Sequence, residues 1–249
     1  MLWFILPVFN EELNLEKLFV NIDTKMNDLR LDYHIILIND GSTDRTADII
    51  AIFQKKMPIS VITYPYNCGV GKAFLDGFLH VLKNAGDHDL VVTGEADNTS
   101  DLEILENLLY QLNHGSDVVL ASCYAEEGSV IGTSLYRRWM SKAAQVVICL
   151  FFPFKAVNTY SSFYRLYRLS ALRELYQRYG DKIIEAPGFE CMVELFVKLA
   201  AIDHLKISEV PMILNGHERK GKSKLKVLKT IKGYLWIIFH FGICRKTIP

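Results

Sequence analysis

His34-Ile35-Ile36-Leu37-Ile38-Asn39-Asp40-Gly41-Ser42-Thr43-Asp44 is the stretch that decides the fold. Residues 34–38 form a short apolar run of the kind that makes a buried strand. The run stops at an Asn-Asp-Gly-Ser turn. Apolar residues then return at Ile49, Ile50 and Phe53, spaced for one face of a helix.

The same strand-turn-helix unit repeats outward in both directions. Upstream, residues 2–9 read as a strand buried on both faces. Leu15, Leu18, Phe19, Ile22, Met26 and Leu29 then mark a helix. Downstream, residues 59–64 read as a strand, followed by a Gly-containing loop and a helix bearing Val70, Phe74, Gly77, Phe78, Val81 and Leu82. Residues 90–93 and 117–121 complete five strands, with a leucine-rich helix between them. Strands alternating with helices predict an α/β fold with a mostly parallel, Rossmann-like sheet flanked by helices. In such sheets ligands bind beyond the C-terminal ends of the strands. The informative polar residues fall at those ends: Asn10 and Glu11 after the first strand, Asp40 after the second, Glu95 and Asp97 after the fourth.

The second half is less regular. Residues 136–150 and 189–202 read as helices, and 163–168 and 205–214 as strands, the latter with Pro211 near its end. A basic loop covers 219–224. An amphipathic C-terminal helix then sets Leu228, Ile231, Leu235 and Ile238 on one side.

Composition narrows the class. Half of the 249 residues are hydrophobic and 22% are charged, which is enough to bury a core and excludes a disordered chain. Five scattered cysteines (Cys68, Cys123, Cys149, Cys191 and Cys244) make no CxxC pair. They suggest neither a zinc site nor a disulfide framework, and a reducing, cytoplasmic setting fits them. The net charge of zero hides an asymmetry: from Arg219 onward there are nine Lys and Arg and no Asp or Glu. A basic tail suits an anionic partner such as phosphates or a lipid surface. No apolar run approaches the ~20 residues that span a bilayer, so any membrane attachment is expected to be peripheral. Pro7 and the lack of a basic leader make the opening run a first strand rather than a signal peptide. The acidic body and the absence of a nucleic-acid motif argue against nucleic-acid binding.

Asp40 can accept hydrogen bonds from a ribose or base, although Asp, Ser and Thr here also suit a turn and a helix cap. Glu95-Ala96-Asp97 leaves a strand end with two carboxylates one residue apart, a set suited to Mg²⁺ or Mn²⁺; in isolation it is also an ordinary solvated loop. Residues 67–73 (Asn-Cys-Gly-Val-Gly-Lys-Ala) carry glycines that let backbone approach a ligand, but they are neither a P-loop nor GxGxxG. Arg137, Arg138, Arg165 and the 219–224 loop are candidates for phosphate contacts, or else a solvated basic face. No metal-ligand spacing of histidines and no Ser-His-Asp or Cys-His arrangement is evident.

Four segments in register resemble the family-2 inverting glycosyltransferases of the GT-A fold, and within them the dolichol- or polyprenyl-phosphate sugar synthases. Pro7-Val8-Phe9-Asn10-Glu11 is similar to that family's P-x-[YF]-N-E opening. Residues 38–46 resemble its [VI]-[DN]-D-G-S-x-D-x-T motif, and 67–77 its N-x-G-x-G-x-A-x-x-x-G stretch. Val210-Pro211 with residues 219–225 resembles its V-P … R-x-x-G-x-S-K-L ending.

The resemblance implies a catalytic domain over residues 1–218, with a nucleotide-binding half to about 125 and an acceptor half after it. A basic loop and helix would follow over 219–249. It implies that Pro7, Phe9, Glu11, Asp40, Gly71, Lys72 and Ala96 bind the nucleotide. Asp97 and Glu95 would hold a divalent cation (Mg²⁺ or Mn²⁺). Asp97, Arg165 and Arg219 would serve catalysis, and Arg137, Arg138, Lys222 and Lys224 the acceptor phosphate. The partners implied are a nucleotide-sugar donor and a lipid-phosphate or glycan acceptor. The implied location is peripheral, at the cytoplasmic face of a membrane. A hydroxyl acceptor would need a base, for which Glu190 and Glu194 are candidates.

Three positions depart from the pattern. The family's D-x-D is Glu95-Ala96-Asp97. Cys123 stands where an Arg is usual. Asn158 replaces the Asp of D-x-T-S-G-F-R, with the Gly lost and the Arg shifted to Arg165. They leave room for a different donor or acceptor, or for a non-catalytic nucleotide-sugar-binding role.

Overall fold

The computed structural model describes residues 1–154, 157–221 and 227–242, with Arg137, Val227 and Leu228 described by backbone alone. The first half runs β1 (Leu2–Val8), α1 (Leu15–Leu29), β2 (Tyr33–Asn39), α2 (Thr46–Phe53), β3 (Ile59–Thr63), α3 (Val70–Asn84), β4 (Leu90–Thr93), α4 (Leu105–Asn113) and β5 (Val118–Ser122). There follow β6 (Ser129–Ile131), α5 (Leu135–Phe151), β7 (Arg165–Arg168), α6 (Leu169–Tyr179), α7 (Cys191–Ala200), β8 (Ile207–Pro211), β9 (Ile213–Asn215) and α8 (Val227–Ile237). A π-helical turn, Ile238–Gly242, extends α8.

Among the described residues, seven strands form one sheet in the order β3-β2-β1-β4-β7-β5-β8. All neighbours are parallel except β7, which runs antiparallel between β4 and β5. The short β6 and β9 pair with each other, parallel, outside this sheet.

The period of two along each strand divides the core. Leu2, Phe4 and Leu6 of β1 and Ile35 and Leu37 of β2 pack with Phe19 of α1, Ile50 of α2 and Leu108 of α4. Trp3 and Ile5, with Ile36 and Ile38, face the other way onto Phe74 and Phe78 of α3, Leu172 of α6 and Phe196 of α7. Both faces of β1 and β2 are therefore covered, which is why these strands read as unbroken apolar runs. Each fully buried Leu, Ile or Phe contributes about 1.5–3 kcal/mol relative to exposure, so the two layers dominate stability.

Strand order also places the site. From β1 the chain moves outward to β2 and β3, then returns to add β4 on the other side of β1. The loops after β1 and β4 therefore diverge and open a crevice at the C-terminal edge, the usual ligand position in such sheets.

Candidate active site

The register Val8↔Asn39 brings the loops after β1 and β2 side by side. They are stitched together by the Glu11 amide donating to Thr46 Oγ1 at 2.9 Å, the Glu12 amide to Asp44 Oδ2 at 3.2 Å, and the Thr43 amide to Asn10 Oδ1 at 2.7 Å. Asp44 also accepts from the Thr46 amide at 3.0 Å and so serves the start of α2. Asp40 is left to the crevice wall. Gly41 has φ +69°, and a Cβ there would lie 2.3 Å from the Tyr66 backbone, so only glycine fits this turn.

Asp40 is nearly inaccessible. Its carboxylate accepts from the Cys68 amide at 2.6 Å, the Gly69 amide at 3.0 Å and Asn67 Nδ2 at 2.9 Å. Burial pushes its pKa up, and the two amide hydrogen bonds pull the other way. Asp40 thus fastens the loop before α3 to the strand end while still lining the cleft. The sequence motif around residue 67 is the partner of this aspartate.

After β4, Glu95, Ala96 and Asp97 all line the same cleft, as do Pro7, Phe9 and Glu11. Asp97 Oδ1 accepts from the Thr99 amide at 3.0 Å and the Thr99 hydroxyl at 2.7 Å. Its Oδ2 accepts from Arg219 Nε at 2.6 Å and also pairs with Arg219 Nη2. Burial, then the Asp97 carboxylate, push Glu95 up to about 8; Arg219 opposes the shift and Glu11 adds to it. The two carboxylates of Glu-Ala-Asp thus sense one another.

The chemistry of this donor set fits a hard divalent cation. The oxygens are carboxylate, and a cationic side chain already sits on Asp97. Among the described residues no three His, Cys, Asp or Glu side chains form a complete cage. One or two carboxylates with phosphate and water oxygens is the usual Mg²⁺ arrangement.

The cleft, of about 1110 Å³, continues from these carboxylates past Cys123 and Tyr124 into the gap between α5 and α8. Met140, Ala144 and Ile148 of α5 face Ile231 and Tyr234 of α8 there, with Arg138, Lys229 and Lys232 also lining it. Glu190 lines this part too; Gly233 of α8 packs so closely that a Cβ would lie 2.3 Å from the Glu190 carboxyl carbon.

Several expected residues lie elsewhere. Arg165 is fully buried and does not line the cleft. It donates to the carbonyls of Ser162 at 2.6 Å, Tyr160 at 2.7 Å and Met192 at 2.9 Å, so it braces β7 against α7 instead of facing a phosphate. Gly71 and Lys72 are also outside the lining. A Cβ on Gly71 would lie 1.9 Å from the Ala186 carbonyl oxygen, so the glycine there permits close packing of α3 on the 186–187 segment. Lys72 pairs with Asp76 one turn along α3. Glu194 is buried, accepting from the amides of Glu185 and Ala186 and pairing with buried Lys198; it has no access to a substrate. Lys222 and Lys224 lie outside the described residues, as does the Arg137 side chain.

Cys123 lines the cleft, its thiol pushed up to about 11 by burial, so this departure from the family pattern falls within the site. Asn158 does not line it. Its backbone amide and Nδ2 donate to Glu209 at 2.7 and 2.5 Å, an arrangement in which an aspartate would oppose a second carboxylate. Sequence reasoning missed Asn14, which joins three cleft segments; only its position three residues after Glu11 hinted at a role.

Comparison with known proteins adds the family. The sequence profile of "Glycosyl transferase family 2" matches residues 3–176. The chain is 31% identical over 243 residues to a dolichol-phosphate mannosyltransferase of Pyrococcus furiosus, covering 95% of this chain and 62% of that protein. It is 28% identical to an undecaprenyl-phosphate 4-deoxy-4-formamido-L-arabinose transferase of Pseudomonas fluorescens, covering 98% of this chain and 65% of the relative. The chain thus spans somewhat under two thirds of the length of these relatives. Among solved structures it resembles glucosyl-3-phosphoglycerate synthase from Mycobacterium tuberculosis in complex with Mn²⁺, UDP-glucose and glycerol 3-phosphate. That match has a TM-score of 0.64 and 20% identity, covering all of this chain and 81% of the other, and it supports the GT-A fold.

Proposed function

From the premise that the chain belongs to glycosyl transferase family 2, we propose that it transfers a sugar from a nucleotide-sugar donor to the phosphate of a polyprenyl-phosphate-type lipid, with inversion at the anomeric carbon. The observation that carries this reading is the convergence of Asp40, Glu95 and Asp97 on one cleft at the C-terminal edge of the sheet. That cleft runs on into the gap between α5 and α8, which is lined by both apolar and basic side chains.

In this reading Pro7, Phe9, Glu11 and Asp40 wall the nucleoside. Glu95 and Asp97 hold a divalent cation, which when bound would offset charge on the leaving diphosphate. Arg219 is within reach of the same diphosphate. Arg138, Lys229 and Lys232 lie toward the acceptor end and suit an anionic headgroup. A lipid phosphate is already an anion at neutral pH and needs no general base.

The outer faces of the two helices support a membrane-borne acceptor. Leu135, Tyr136, Trp139, Val146 and Leu150 are exposed along one side of α5, next to exposed Arg138 and Lys142. Leu235, Trp236 and Phe239 are exposed on and just after α8. Among the described residues no helix is long and apolar enough to cross a membrane, so contact through these faces would be peripheral.

A second reading, transfer to a sugar hydroxyl of a glycan or lipid-linked saccharide, is favoured by Glu190, a carboxylate in the acceptor part of the cleft where a base would be required.

The test is a transfer assay with Mg²⁺ or Mn²⁺, a panel of labelled nucleotide sugars and polyprenyl phosphate. Label entering the organic phase for one donor, and its loss in Asp97→Ala with the fold retained, are the expected results. Label that enters only glycan acceptors, and is lost in Glu190→Gln, would replace the first reading with the second. A folded Asp97→Ala protein with full activity would remove the cation site from the mechanism.

A further inference from the structure

Asn14 has no part in the function proposed above, yet it is only 2% exposed and every arm of its amide is engaged. It occupies the N-cap position of α1, where an asparagine ordinarily accepts from a first-turn amide. Here it makes no such bond. Its Nδ2 donates to Glu11 Oε2 at 2.6 Å and to the Lys220 carbonyl at 3.0 Å, and its Oδ1 accepts from the Lys220 amide at 2.9 Å. Its own carbonyl accepts from Asn98 Nδ2 at 2.9 Å. The side chain of Asn14 therefore ties the loop after β1 to a segment 206 residues away, and its backbone carbonyl adds the loop after β4.

That segment, residues 215–221, forms a strap whose Arg219, Lys220 and Gly221 line the cleft. The Asn215 amide donates to the Thr99 carbonyl at 3.0 Å at one end. Glu218 pairs with Lys17 of α1. Lys220 is clamped on both its N–H and its C=O by Asn14. Between these anchors Arg219 reaches Asp97 with two N–H groups on a single oxygen.

We propose that Asn14 is a positioning residue that latches the strap at Lys220 and so keeps Arg219 on Asp97, making the strap a resident counter-ion that a divalent cation must displace. The coupling rests on the proposed function only in taking Asp97 as the cation's carboxylate. A guanidinium and a divalent ion cannot both contact Asp97 Oδ2 without close like-charge repulsion in a partly buried site. Loading the cation therefore moves Arg219, and the latch sets how readily it moves. Once displaced, the guanidinium stays tethered beside the cleft, where a diphosphate offers it a new partner.

Two readouts that do not depend on sugar transfer test this. The first is Mn²⁺ affinity without nucleotide, followed by electron paramagnetic resonance of free Mn²⁺. Arg219→Ala is expected to bind Mn²⁺ about tenfold more tightly than the unaltered protein, and Asn14→Ala to shift the same way by less. Tenfold is about 1.4 kcal/mol. General loosening of the fold would weaken binding, so tightening separates displacement of a counter-ion from structural damage. The second readout is trypsin cleavage after Arg219 and Lys220, located by mass spectrometry. Asn14→Ala is expected to be cut there about tenfold faster, since local opening exposes the strap. Asn14→Asp keeps the size of the side chain but loses the donor arm, and serves if the alanine variant does not fold. Unchanged or weaker Mn²⁺ binding in Arg219→Ala would overturn the counter-ion role. Unchanged cleavage in a folded Asn14 variant would overturn the latch. Failure of every donor in the transfer assay would sink the proposed function and leave both readouts standing.

Discussion

Arg165 is the residue whose placement departs most from expectation. The family resemblance implied a catalytic side chain facing the phosphates. In the fold β7 is the antiparallel strand between β4 and β5, and Arg165 enters the layer beneath α7, where burial pulls its pKa down. Three backbone carbonyls depend on it. Burying an acceptor with no donor costs about 1–3 kcal/mol, so Arg165→Met is expected to lower stability by about 3 kcal/mol. Turnover per folded molecule should change little; denaturant unfolding alongside kinetics on the folded fraction checks both. A stable but inactive variant would return Arg165 to the chemistry. The contrast with Asp40 and Asp97 is instructive. Those two were legible because strand ends in a parallel sheet are both predictable and functional. Arg165 and Asn14 were not, because their roles depend on partners brought near only by the completed fold, such as Met192 and Lys220.

Among the elements, α5 carries the clearest unmet demand. Its inner side buries Gln145 and Ile148, while Trp139 and Leu150 on its outer side are each 75% exposed. In α8 and the turn that extends it, Ile237, Ile238 and Phe241 are buried, while Leu235, Trp236 and Phe239 are exposed. If these faces meet lipid, Trp139→Ser should weaken binding to vesicles containing anionic lipid, by roughly the 1.5–3 kcal/mol of one buried large apolar side chain at most. Co-sedimentation measures this, and unchanged binding would remove α5 from the contact. The five parallel strands were legible as short apolar runs closed by Gly and Asx turns. β6 and β9 were not, since three residues are too few to show a period. The stretch 205–214, expected as one strand, is two strands, with Met212 buried between them.

For the whole molecule, the order β3-β2-β1-β4-β7-β5-β8 joins both halves of the chain in one sheet. The sequence suggested a nucleotide-binding half ending near residue 125; Asp40, Glu95 and Asp97 precede that point, while Arg219 and Lys220 of the same cleft follow it. Yet both sheet neighbours of β5 come later: β7 at residues 165–168 and β8 at 207–211. A fragment ending at 125 would thus present β4 with one open edge and β5 with two, and open edges template aggregation. Such a fragment is expected to be insoluble, whereas one ending at 215 should remain in solution; expression and sedimentation of the two would decide, and a soluble, folded 1–125 fragment would refute the argument. During synthesis the same arrangement imposes a waiting period. The fifth strand leaves the ribosome more than forty residues before its first partner, so for several seconds at ~5–20 residues per second it has no sheet neighbour and invites chaperone capture.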